Sequence, residues 1–172
     1  MSADQLTTAI DRFNELAEGD ARELLRACLA VPRWVDEVVS GRPYDDINAV
    51  HAQAHASAAT MTDEELAAAL TRHPRIGERL PENDPEARRS HSEQAGVNSS
   101  DQQLAERLQA GNLTYERRFS RVFLIRAAGR SADEILAELE RRLAHDDETE
   151  RVETATQLRE IALLRLDRAL AT

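Results

Sequence analysis

The sequence predicts an all-α fold, and three observations carry the prediction. Gly and Pro number only six and five in 172 residues, and aromatic residues make up 3%. Ala, Leu, Glu and Arg dominate, and all four are good helix formers. Apolar residues recur every three to four positions through most of the chain. A chain of this length suits one core, so the expectation is a single-domain helical bundle over residues 1–172. It should hold about seven to nine helices and one irregular polar insert.

Leu6, Ile10, Phe13 and Leu16 lie at helical spacing behind Ser2, a capping residue type, and Gly19 is expected to close that helix. Asp20 and Glu23 read as a capping box for a second helix through Leu24, Leu25, Cys28 and Leu29. Pro32 suits a first turn and introduces Trp34, Val35, Val38 and Val39, with Gly41 as the stop. An Ala-rich helix over residues 45–59 carries His51 and His55. Thr62 and Glu65 form a further capping box ahead of Leu66 and Leu70. From His73 to Ser99 the pattern breaks, with Pro74, Gly77, Pro81, Pro85 and Gly96 among few large apolar residues. Asp84-Pro85 can start a helix reaching Gln94. A long, weakly apolar stretch inside a domain is usually functional or disordered. Residues 100–109 then read as a helix ended by Gly111, and residues 113–128 as a longer one. Ser131 and Glu134 cap the next, which carries Ile135, Leu136, Leu139 and Leu143. The Asp146-Asp147-Glu148 cluster opens a final helix.

Charge narrows the function. With 22 basic and 32 acidic residues the net charge is −10, which argues against nucleic acid and anionic membranes as partners. No stretch approaches the roughly 18 to 20 apolar residues of a membrane span. Neither a signal-peptide layout nor a Ser-Lys-Leu ending is present, so a cytosolic location is expected. Every basic residue is Arg, which removes Schiff-base and lysine-base chemistry. The single Cys28 excludes an internal disulfide and reads as a small buried hydrophobe.

Five places can carry chemistry. His51 and His55, four apart, share a helix face as metal ligands do, although a surface pair is the plainer reading. His145 beside Asp146 reads as a solvated helix junction, and His91 lies in the polar insert. His73 is followed by Pro74, whose fixed φ restricts the backbone of both and holds an imidazole in place for proton transfer near neutral pH. On a helix from Pro85, Ser90, Glu93 and Gln94 share one face, offering a hydroxyl, a carboxylate and an amide to a small polar ligand. Arg165 falls on the apolar stripe of Leu158, Ile161 and Leu164, where a guanidinium must snorkel, pair with an acid or meet an anionic ligand. Arg117, Arg118, Arg121, Arg126 and Arg130 face only Glu116 in the same stretch, which suits an anionic small molecule or ordinary salt bridges.

Five motifs in order, His73-Pro74-Arg75-Ile76-Gly77, Ser90-x-x-Glu93-Gln94, Asn112-x-x-Tyr115-Glu116-x-x-Phe119-x-x-Val122-Phe123-Leu124-Ile125, Gly129-Arg130-Ser131 and Gln157-Leu158-x-x-Ile161-Ala162-x-Leu164-Arg165-Leu166, resemble the 2-oxo-4-hydroxy-4-carboxy-5-ureidoimidazoline (OHCU) decarboxylase family. They run from about residue 70 to the end, while the N-terminal third matches in helical character only. The resemblance implies a catalytic histidine at His73 with Pro74 beside it and an essential carboxylate at Glu93. It also implies substrate binding by Ser90, Gln94, Arg165 and backbone groups of Phe123, Ile125 and Ala127, with a homodimer as the assembly. Many members have Gly where Ser120 stands and Cys where Arg126 stands.

The implied reaction needs no cofactor. The substrate carries a carboxylate and a hydroxyl on one ring carbon beside a ring C=N bond, so the electrons freed as carbon dioxide leaves flow into that bond. Protonation of one face of the resulting enol gives (S)-allantoin, the end of urate breakdown. His73 would act as general acid/base, Glu93 would orient it, and Arg165 would clamp the anionic substrate opposite His73. Two alternatives stand beside this reading: a non-enzymatic all-α interaction module, and a metal hydrolase on His51 and His55.

Overall fold

The computed structural model describes residues 3–77 and 102–171. Among the described residues there are eight α-helices and no strand. They are α1 (Ala3–Glu15), α2 (Glu18–Cys28), α3 (Pro32–Ser40), α4 (Ile47–Ala59), α5 (Asp63–Leu70), α6 (Gln102–Phe119), α7 (Ala132–Arg142) and α8 (Asp147–Leu170). The fold is all-α, as the composition requires. Most of the polar insert, with the helix expected from Pro85 to Gln94, lies outside the described residues. The chain groups into two compact units, one ending at Glu65 and resuming at Arg159, the other Leu66–Leu158.

In the first unit α3 begins at Pro32 and buries Trp34, Val35, Val38 and Val39. The Trp34 indole donates to the Ala54 carbonyl of α4 at 2.9 Å, so this large ring enters the core with its one polar atom satisfied. Cys28 is buried, its thiol on the Leu24 carbonyl. Asp46 caps α4 by accepting from the Ala49 N–H at 2.8 Å. The Thr62/Glu65 and Ser131/Glu134 boxes form as expected at the starts of α5 and α7.

Three expected boundaries move. Gly19 sits in the first turn of α2 instead of closing α1, and the cap residue is Ala17, with no side-chain bond. Glu18 and Asp20 in that turn still face the positive end of the helix dipole. Gly111 ends nothing: α6 runs through it, and the residue is glycine there because a Cβ would lie 2.5 Å from Leu139 of α7. Glycine marks the close approach of two helices. Residues 113–128 are not one helix, since α6 stops at Phe119, Ser120 turns the chain at φ 55°, and 122–127 is irregular. Phe123, Leu124 and Ile125 are buried as part of this irregular segment and not as one side of a helix, while Val122 is half-buried.

Candidate active site

The His73 loop follows α5 in the second unit. The His73 N–H closes a turn on the Leu70 carbonyl at 3.0 Å, and the side chains of His73 and Pro74 are half-buried. Arg75 then grips the Glu116 carboxylate with Nε and Nη2, the latter at 2.9 Å. That guanidinium holds the Glu116 carboxyl below its ordinary range despite partial burial. Ile76 is buried, and its carbonyl accepts from Asn112 Nδ2 at 3.1 Å. Gly77 turns the chain at φ 78°. Asn112 and Glu116 are one turn apart on α6, so this helix fixes the loop at two adjacent points.

The segment after α6 is held from its other side. Phe123, Ile125 and Ala127 alternate into one apolar cluster with Ile76, Tyr115, Phe119, Leu136 and Leu139. Their side chains are packing groups of this core. The Leu124 carbonyl accepts from Arg142 Nη1 at 2.8 Å, and the Arg126 N–H donates to Gln157 Oε1 at 2.9 Å. Among the described residues the N–H and C=O of Ile125 have no hydrogen-bond partner.

Behind the segment lies a buried polar network. Arg142 and Glu150 have side chains at 0% exposure and are joined through Nε at 2.9 Å. Thr154 Oγ1 accepts from Arg142 at 3.1 Å, and the Tyr115 hydroxyl donates to Glu150. The guanidinium also lies 4.7 Å from the Phe123 ring centre. Burial, then the bond to Glu150, push the Tyr115 phenol up to about 12, so it stays a donor. Burial alone would raise the Glu150 carboxyl, but bonds from Arg142, Tyr115 and His145 outweigh it and hold it below its ordinary range.

His145 is not a solvated junction residue. Its side chain is 18% exposed and its Nδ1 lies 3.0 Å from Glu150. Among the described residues, His145, Glu150 and Glu153 alone form a group of three potential metal ligands within 4.8 Å. Arg141 and Arg142 already pair with those acids, which disfavours a cation there. His51 faces Asp167 at 2.6 Å, and among the described residues no third ligand completes a site with His55. The basic run is engaged in part: Arg121 pairs with Asp147, and Arg118 donates to the His145 carbonyl at 2.8 Å.

Arg165 is buried on α8, in the first unit, with Ile161, Ala162 and Leu166, as its place on the apolar stripe implied. His73, Pro74, Phe123, Ile125 and Ala127 belong to the second unit. Ser90, Glu93 and Gln94 lie outside the described residues, as does His91. Sequence reasoning missed Arg142 and Glu150. The signal was available, because Arg142 follows Ile135 and Leu139 on the same face of α7, the pattern that drew attention to Arg165.

A model of the OHCU decarboxylase family matches residues 14–167. The chain belongs to that family. The 2-oxo-4-hydroxy-4-carboxy-5-ureidoimidazoline decarboxylase of Haloferax volcanii is 30% identical over 135 residues, covering 77% of this chain and 79% of its own. A crystal structure of OHCU decarboxylase in the presence of (S)-allantoin shares the fold at TM-score 0.72 and 21% identity, covering 86% of this chain and 96% of that one. A crystal structure of (S)-allantoin synthase does so at TM-score 0.70 and 16% identity, over 93% of this chain and 53% of that one. An interaction module without activity is not favoured by this family membership.

Proposed function

We propose that the protein decarboxylates 2-oxo-4-hydroxy-4-carboxy-5-ureidoimidazoline to (S)-allantoin without a cofactor. Family membership supports the reaction, and one structural observation supports the site. Helix α6 carries both the His73 loop, through Asn112 and Glu116, and the Phe123–Ala127 segment, through Tyr115 and the apolar cluster.

In this reading the substrate supplies its own electron sink, so the protein must orient it and move protons. His73, stiffened by Pro74, is the general acid/base at the hydroxyl and ring. Glu93 orients His73, Arg165 supplies the countercharge to the substrate anion, and Ser90 and Gln94 read its polar groups. The Ile125 backbone takes the ureido edge, while Phe123 and Ala127 hold that backbone in place. The chain acts as a single domain in a cytosolic homodimer. No described helix is long and apolar enough to cross a membrane.

Substrate generated in situ from urate with urate oxidase and hydroxyisourate hydrolase tests the proposal. The wild-type chain should produce circular dichroism of one sign, while His73→Asn should follow the spontaneous racemic decay and still melt like the wild type. A wild-type trace equal to the enzyme-free control would refute the function. Full turnover by His73→Asn would remove His73 from the mechanism.

A further inference from the structure

We infer that Arg142 and Gln157 are positioning residues for this reaction, fixing the two peptide planes on either side of Ile125 so that its N–H and C=O are presented to the ligand. The inference rests on the reading of the Phe123–Ala127 segment as a substrate-binding element.

The first support is covalent geometry. Both peptides are trans, so each N–H points opposite to the C=O of the same plane. Arg142 holds the Leu124 carbonyl, and the Ile125 N–H of that plane must therefore point away from Arg142. Gln157 holds the Arg126 N–H, and the Ile125 C=O must point away from Gln157. A donor and an acceptor on one residue match the –NH–CO– edge of a ureido group.

The second support is the character of the Arg142 site. A buried ion pair adds little net stability over an apolar pair of the same volume, because desolvation offsets the attraction. Arg142 has no exposed side-chain surface and cannot touch a ligand. Its direct grip on the functional segment is the Leu124 carbonyl. Glu150 and Thr154 hold the guanidinium, and the Phe123 ring packs against it, so the direction of that bond is over-determined. Gln157 reaches the neighbouring plane from α8 while Arg142 comes from α7, so the two planes are set by different helices.

The test compares Gln157→Leu, Gln157→Glu and the neutral pair Arg142→Met/Glu150→Gln with the wild type, by KM, kcat per folded molecule and enantiomeric excess of the allantoin. Gln157→Leu should stay folded, with its melt lowered by the lost Arg126 N–H bond, and per folded molecule should lose on the order of tenfold to a hundredfold in kcat/KM, with KM raised and product partly racemic. Gln157→Glu keeps an acceptor oxygen and should recover most of that loss. The neutral pair reads the Arg142 side independently and should show the same signature. Unchanged KM and stereochemistry in Gln157→Leu, or equal impairment in Gln157→Glu, would overturn the inference. An inactive wild type would instead refute the proposed function.

Discussion

Asn112 and Ile76 are 36 residues apart in sequence, and the amide of the first holds the carbonyl of the second at 3.1 Å inside the protein. That bond ties the loop bearing His73 to α6. Asn112→Ala leaves the buried Ile76 carbonyl without a donor, at a cost of about 1–3 kcal/mol. Thermal unfolding should show this loss. Turnover per folded molecule should fall as well, because the loop loses one of its two attachments to α6. The Arg75–Glu116 pair is more exposed, so Glu116→Gln should cost less than about 1 kcal/mol.

Ser120 stands where α6 ends, at φ 55°. A non-glycine residue in the left-handed region is strained, and glycine relieves the strain while loosening the unfolded chain. Ser120→Gly should raise stability by about 0.5–1 kcal/mol, measured by urea denaturation, with activity unchanged.

Gly111 makes the opposite case. Alanine has the better helix propensity by about 1 kcal/mol, yet its Cβ would meet Leu139 Cδ2 at 2.5 Å. Leu139 is fully buried and has little room to withdraw. Overpacking costs about 1–3 kcal/mol, so Gly111→Ala should be net destabilising in a thermal melt.

Most of the fold was legible from spacing and caps. The Thr62/Glu65 and Ser131/Glu134 boxes and Pro32 state local geometry directly, so their helices begin where expected. What failed were readings in which local signals compete with tertiary packing. Gly111 looks like a stop until Leu139 is placed against it, and the Val122–Ile125 run looks helical until Ser120 breaks the chain. Of the candidate site, the structure bears out the burial of Arg165 on its apolar stripe, and Ser90, Glu93 and Gln94 lie outside the described residues. His73-Pro74 and Arg165 announce themselves by rigidity and by misplaced charge. The Arg142–Glu150 pair did not, because Glu150 hides in an acidic helix start and Arg142 in an arginine pair.

Glu150 predicts a pH dependence. Its folded carboxyl lies below the ordinary value of 4.5, so its contribution to stability is complete above that value and is lost as pH falls through the folded value. The stability gap between the wild type and Glu150→Gln should be widest above about pH 5 and should narrow below about pH 4.5. Denaturant midpoints measured across that range check the sign. A gap that widens on acidification would contradict the assignment.

The most direct measurement is a crystal structure of this chain with (S)-allantoin bound. The expected result is a ureido –NH–CO– edge paired with the N–H and C=O of Ile125 and a ring within hydrogen-bond reach of the His73 imidazole. Allantoin seated away from both residues, with Ile125 still unpaired, would contradict it.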